Sequence, residues 1–344
     1  MNAWLVEEVA NAVLYEGYVL YPYRALSVKN RQRWNFGIVY PRAYSSQQDG
    51  ADSWWMRTEC LARSGSSDPL RVKVRFLQLT MRFIGQLQAP VPHLPQGELP
   101  PVQFVERLEV DDRILHPWQE AVERDVSLNL GSLHELARQP FRQTFAIAAH
   151  HDVEQVSDRS GLVVALTIRE GQGGEGAIEA DAEPLGCDLY RIGVTIRNLA
   201  PFECAERKSR DQALMHSFIS THTILFLECG EFISLLDPPE ELIEACAKCR
   251  NTGTWPVLAG EEGQRDTVLS SPVILYDYPR IAPESPGALF DGTEIDEILT
   301  LRILTMTDNE KREMRDVDAR TRQILERTEA LAPEQLMRLH GEMR

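Results

Sequence analysis

The sequence predicts a mainly β fold with helical appendages: an antiparallel β-sandwich of about eight to nine strands, a short N-terminal helix and arm, and C-terminal helices. Three observations carry this. From residue 71 the apolar residues alternate with period two, such runs recur at turn-length spacing, and residues 70 to 220 show almost no helical spacing. Strands without intervening helices favour an antiparallel sandwich over a parallel α/β sheet.

Taken in order, Leu5, Val9, Ala12 and Val13 recur near helical spacing, and Gly17 with Pro22 stops that pattern. Residues 45–70 are rich in Ser, Asp and Gly and read as loop, with Trp54 and Trp55 as an apolar anchor. Val72, Val74 and Phe76 alternate with Arg71, Lys73 and Arg75. Leu77, Leu79, Met81 and Phe83 then follow the other parity, which suggests a bulge near residue 76. Further strands are expected at 102–110, 125–130, 142–149, 162–169, 189–197, 220–228, 231–236 and 273–278, with Cys229 and Gly230 as a hairpin turn. Pro238 and Pro239 precede a short helix, ELIEACAKC. Thr293 with Asp296 and Thr307 with Glu310 open two helices by capping boxes, over roughly 294–306 and 308–330. The organisation is an arm over 1–70, a sandwich core over 71–237, a proline-rich acidic segment with a final strand over 238–292, and helices over 293–344.

Composition narrows the function classes. The chain has 344 residues, a hydrophobic fraction of 43% and a charged fraction of 26%, the values of a globular protein with a real core. With 52 acids against 36 bases, the formal net charge is -16, so no nucleic-acid partner is expected, since phosphate neutralisation needs a basic face. No run of apolar residues is long enough for membrane insertion. Glu7 and Glu8 stand where a signal peptide carries cations, so a cytoplasmic protein is expected. Six cysteines in so long a chain are too sparse for a disulfide scaffold.

The densest chemistry lies in residues 15–44, where eight aromatic rings and five cations stand beside a single acid, Glu16. Rings with polar handles occur in binding hot spots and in sealed cores alike, so Tyr21, Tyr23, Arg24, Arg33, Trp34 and Phe36 read either as a partner contact or as a core corner. A second segment, 270–299, sets Tyr276 and Tyr278, which read as exposed, with Glu284 and Asp296 among prolines with fixed φ, a stiff path that suits docking to a basic surface or wrapping of the sandwich.

Other groups assemble less. Cys246 and Cys249 have metal-ligand spacing without a second pair of ligands, so plain packing competes with metal and no cofactor is expected. His150 and His151, adjacent on a strand, point to opposite faces. The glycines of 171–176 lack a phosphate-loop lysine and read as a mobile hairpin loop. His216 and His222 could serve as bases, with no serine or cysteine elbow beside them.

Three stretches together resemble a family of uncharacterised proteins encoded beside uptake nickel-iron hydrogenases in soil bacteria. They are YEGYVLYPYR with NRQRWNFGIVYPRAY, then STHTILFLECGEFISLLDPPEE, then CRNTGTWPVLAG with the run from Ser270 to Arg315. The resemblance is weakest over 45–70 and 150–185. It implies an accessory role in the assembly, maturation or stability of a nickel-iron hydrogenase, with one of its subunits as partner and no catalytic residue. The matching positions are Tyr21 to Arg24, Asn30, Arg33 to Gly37, Pro279, Pro283 to Ser285, Asp296 and Glu297. The alternative reading is an enzyme or metal carrier built on Cys246, Cys249 and a sheet histidine.

Overall fold

The computed structural model describes residues 3–15, 34–281 and 303–316, apart from 49, 51, 66–67, 95–98 and 187, together with positions 322, 325–326 and 328–330. Fifteen strands lie among these residues. They are β1 (Trp55–Arg63), β2 (Pro69–Val91), β3 (Val102–Phe104), β4 (Leu108–Val110), β5 (Arg113–Leu115), β6 (Trp118–Ser132), β7 (Phe141–Ile147) and β8 (His150–Ser157). There follow β9 (Val163–Gly171), β10 (Gly174–Gly186), β11 (Leu189–Asn198), β12 (Ile219–Leu227), β13 (Glu231–Ile233), β14 (Trp255–Leu258) and β15 (Thr267–Ser271). The helices are α1 (Ala3–Leu14), α2 (Arg42–Ser45), α3 (Leu133–Arg138), α4 (Arg210–Leu214), α5 (Ile243–Cys246) and α6 (Asp308–Arg315).

The fold is mainly β, as the alternation requires. One sheet runs β13-β1-β11-β10-β7; the other runs β14-β15-β12-β2-β9-β8, with β6 and β3 also paired to β2, and β4 with β5 forms a separate hairpin. The two sheets face each other across one core. Met56, Cys60, Ile178, Ile192, Val194 and Ile196 come from the first sheet, and Val72, Val74, Phe76, Leu128, Leu225 and Val268 from the second. Phe76, Phe145 and Phe218 stack at its centre with centroids 4.6 to 5.9 Å apart. The sheets take in β1 and β14–β15, so the sandwich extends beyond residues 71–237 on both sides.

β2 is 23 residues long and regular where a bulge was expected. Its register against β6 runs without a break from Arg71↔Asn129 to Arg82↔Trp118. What changes at residue 77 is the cover on one face: Leu77 and Leu79 are buried under Leu14, Trp34, Tyr40 and Tyr44, while Arg71 and Lys73 on the same face remain accessible. The bulge belongs to β12, between Ile219 and His222, where Ser220 takes φ +52°.

The two turns expected to be hairpins are corners where a ribbon passes from one sheet to the other. β7 with β8 faces β10 with β9 in one unbroken register, Phe141↔Ala180 through Ile147↔Gly174 and His150↔Gly171 to Val156↔Ala165. The glycines of 171–176 form the bend of that ribbon. A Cβ on Gly171 would stand 1.9 Å from the His150 ring, which fixes glycine there. Likewise, Cys229 and Gly230 carry the chain from β12 to β13, which pairs with β1 in the other sheet. Asp68 holds this corner by accepting the amides of Glu228 and Cys229 at 3.0 and 3.1 Å.

α1 covers the outer face of β12, β14 and β15. Val6, Val9, Ala10 and Val13, at i, i+3, i+4 and i+7, pack on Ile224, Val257, Ala259 and Leu269. Its polar face is pinned by Arg75, which donates to Glu7 at 2.9 Å, Asn11 at 2.7 Å and Glu123 at 3.2 Å. The capping box of Thr307 and Glu310 opens α6 as the sequence predicts; the one at Thr293 lies outside the described residues. Residues 273–278 are not a strand.

A polar seam crosses the interior beside the β12 bulge. His222 is fully buried, with Nδ1 2.5 Å from the Ser220 carbonyl oxygen and Nε2 3.4 Å from Ser271 Oγ. Burial pushes its pKa down to about 4; Arg75 adds to the fall, and the Ser220 carbonyl opposes it. A depressed histidine binds fewer protons folded than unfolded, so stability rises with pH across the interval between the folded and unfolded pKa values. We expect the unfolding free energy to fall by roughly 3 kcal/mol from about pH 6.5 to pH 4 through this group. Denaturation of the wild type and His222→Gln over that range checks this, and equal slopes would contradict it.

Candidate docking surface

Tyr15 and Trp34 meet the sandwich at one place. Tyr15 donates its hydroxyl to Glu123 Oε1 at 2.7 Å, and Trp34 Nε1 donates to Gln119 Oε1 at 3.2 Å. Glu123 and Gln119 are four residues apart on β6 and therefore share a face. Tyr21, Tyr23, Arg24 and Arg33 lie outside the described residues. Trp34 is 3% exposed and seals the second apolar cluster. Its carbonyl accepts from Arg210 Nη2 at 2.5 Å, and Arg210 Nε also donates to the Tyr40 hydroxyl at 3.1 Å. Burial pushes the Tyr40 phenol up to about 12, against the opposing pull of Arg210. These rings build the frame of the surface.

Beyond Trp34 the chain turns outward. Phe36 is 40% exposed. Its carbonyl and that of Gly37 accept the amides of Ser220 and Thr221 at 3.1 and 2.9 Å, fastening the segment along the β12 bulge. Gly37 has φ +53°, and a Cβ there would meet Pro272 at 2.6 Å, so only glycine allows the two segments to approach. From Pro272 the path alternates. Val273 and Leu275 pack beneath α1, whereas Ile274 and Tyr276 are 72% and 86% exposed. Trp4 on α1 is exposed as well.

Tyr278 is half-buried against the main core, with φ +57°. Its amide donates to the Leu258 carbonyl at 2.7 Å, and Asp277 accepts from the Leu258 amide and the Ser234 hydroxyl at 2.8 and 2.5 Å. Glu284 and Asp296 lie outside the described residues. The structure therefore brings Gly37, next to Phe36, against Pro272 at the start of the 272–276 segment. Sequence reasoning passed over Ile274 and Trp4: Val273 to Tyr276 are all apolar, so only the structure separates the buried parity from the exposed one.

The alternative chemistry fares differently. Cys246 and Cys249 pack with Leu61, Ile233 and Leu242 under the first sheet. Burial pushes the Cys249 thiol up to about 12 and the Cys246 thiol above its ordinary value. No three His, Cys, Asp or Glu side chains among the described residues are placed to hold a metal ion. His150 lies over Gly171 with Nε2 3.2 Å from Thr80 Oγ1, whereas His151 turns to Glu170 at 3.6 Å, so the two rings diverge. His216 stacks edge-on against Phe202, and burial, with Lys208, lowers its pKa.

No family model matches the chain, and no curated protein sequence matches it. No helix among the described residues is long and apolar enough to cross a membrane.

The frame and the surface should separate under mutation. Trp34→Ala is expected to cost about 3 to 5 kcal/mol of stability, and Tyr276→Ala less than about 0.5. Chemical denaturation of both variants measures this; equal losses would contradict the division.

Proposed function

We propose that this protein is a non-catalytic accessory factor. It binds a nickel-iron hydrogenase subunit or its precursor in the cytoplasm and assists assembly, maturation or stability. The supporting observation is the exposed set of Phe36, Ile274 and Tyr276, carried on backbone that is hydrogen-bonded to β12 or packed beneath α1. Aromatic anchors on a pre-ordered frame suit protein recognition, because little conformational entropy is lost when the partner arrives. The resemblance of the flanking stretches to hydrogenase-associated proteins gives the partner class.

Phe36 and Tyr276 serve as anchors in this reading, with Tyr278 holding the segment to the core. Trp34 fixes the direction in which Phe36 leaves the frame. The resemblance assigns Tyr21, Tyr23, Arg24, Arg33, Glu284 and Asp296, outside the described residues, to the same partner contact.

Affinity purification from a host that makes the hydrogenase tests the proposal. The tagged wild type is expected to retain a hydrogenase subunit, and the double variant Phe36→Ser, Tyr276→Ala to retain about tenfold less at unchanged melting temperature. Absence of the subunit from the wild-type eluate, or equal recovery by the variant, would overturn it.

A further inference from the structure

On the outer face of the first sheet arginines alternate with carboxylates, and Arg191 is paired with Glu183 at 3.3 Å. Arg142 on β7 pairs with Glu179 on β10 at 3.3 Å, and the same carboxylate accepts Arg197 Nε of β11 at 2.9 Å. Arg197 lies over the Trp54 ring at 5.0 Å from its centroid, and Arg42, the first residue of α2, lies 4.8 Å from that centroid. Three guanidinium groups, the Trp54 indole and the shared Glu179 carboxylate thus adjoin one another as a strip. The neighbouring arginine is already neutralised: Arg57 takes both Asp181 oxygens at 3.0 Å and Glu59 at 2.9 Å. Asp52, close by, is engaged by the Tyr44 hydroxyl.

Arg42 decides the reading. It is exposed, and among the described residues its guanidinium has no carboxylate partner. In a chain with 52 acids and 36 bases, a cation held at the surface by an aromatic ring alone is a group kept available. Contact with the Trp54 ring restrains the exposed Arg42 guanidinium at 4.8 Å from the ring centroid, and a guanidinium can take a carboxylate through two hydrogen bonds.

We propose that this strip docks an acidic segment of a partner protein, with a carboxylate taken by Arg42 beside Trp54. The inference rests on the accessory reading in one respect, that the partner is a protein, and adds the chemistry of the surface it presents. A peptide fits better than a nucleic acid, because three cations in a chain of charge -16 cannot neutralise a run of phosphates.

The test uses the full chain and three fluorescent probes in an anisotropy titration: a Glu-rich peptide of about twelve residues, its Gln counterpart, and a single-stranded oligonucleotide of the same charge. The Glu peptide should bind, weaken as salt rises, and lose about tenfold in affinity in both Arg42→Gln and Trp54→Leu. Arg42→Gln should keep the wild-type melting temperature, since the side chain is exposed and has no carboxylate partner among the described residues. Equal binding of the Glu and Gln peptides, unchanged affinity in Arg42→Gln, or tighter binding of the oligonucleotide would each overturn the proposal. The readout involves no hydrogenase, so a failed subunit capture with retained Glu-peptide binding would remove the partner class and leave the strip.

Discussion

Strand β2 is the constraint on which the rest of the molecule depends. Along one edge it pairs with β6 and then β3; along the other it pairs with β12 and then β9. Four strands therefore take their register from one continuous backbone. Its even-numbered residues Leu70 to Phe76 fill the main core, and its odd-numbered Leu77 and Leu79 floor the second cluster. Because side chains alternate strictly along a strand, a slip of one residue would exchange these faces and expose both clusters at once.

Two buried arginines on β2 tie the periphery to this spine. Arg75 gathers Glu7 and Asn11 of α1 with Glu123 of β6. Arg82 donates to Glu120 at 3.0 Å and to the His116 carbonyl, and Glu120 in turn receives Arg169 at 2.8 Å. Asp316, just past α6, accepts the Ile114 amide at 3.0 Å, so the C-terminal helix meets the β4–β5 hairpin in the same region. A buried charge stripped of its partner costs about 3 to 5 kcal/mol. These ladders therefore fix where α1 and α6 sit as firmly as apolar contact does.

Strand content, the N-terminal helix and the Thr307 capping box were legible in the sequence, because each depends on neighbours a few residues away. What escaped was set at long range. The Gly171–Gly176 and Cys229–Gly230 segments have turn chemistry whether the chain reverses within a sheet or bends into the next one; only the partner strand decides, and it lies far along the sequence. β1 read as loop because Ser, Asp and Gly crowd its approaches, while its own apolar residues Met56, Cys60 and Ala62 are sparse. The parity change at residue 77 looked like a bulge because burial on both faces mimics one. At the candidate surface, aromatic content marked the right neighbourhood without separating Trp34, which is core, from Phe36, which is exposed. The strip of Arg42, Trp54, Arg197 and Arg142 was invisible for the same reason, since Arg142 and Arg197 meet at Glu179 only through the register of β7, β10 and β11, and Trp54 is joined by Arg42 from α2.

Recognition on this account comes from a surface ordered before any partner arrives, its backbone bonded into the frame that β2 organises. Native-state hydrogen exchange tests that claim directly. The amides of Val39, Ser220, Thr221 and Tyr278, which bond the surface segments to the frame or to each other, should exchange through global unfolding, with the same free energy and denaturant dependence as core amides of β2. Exchange of these four through local opening, at a free energy well below that of β2 and insensitive to denaturant, would contradict it.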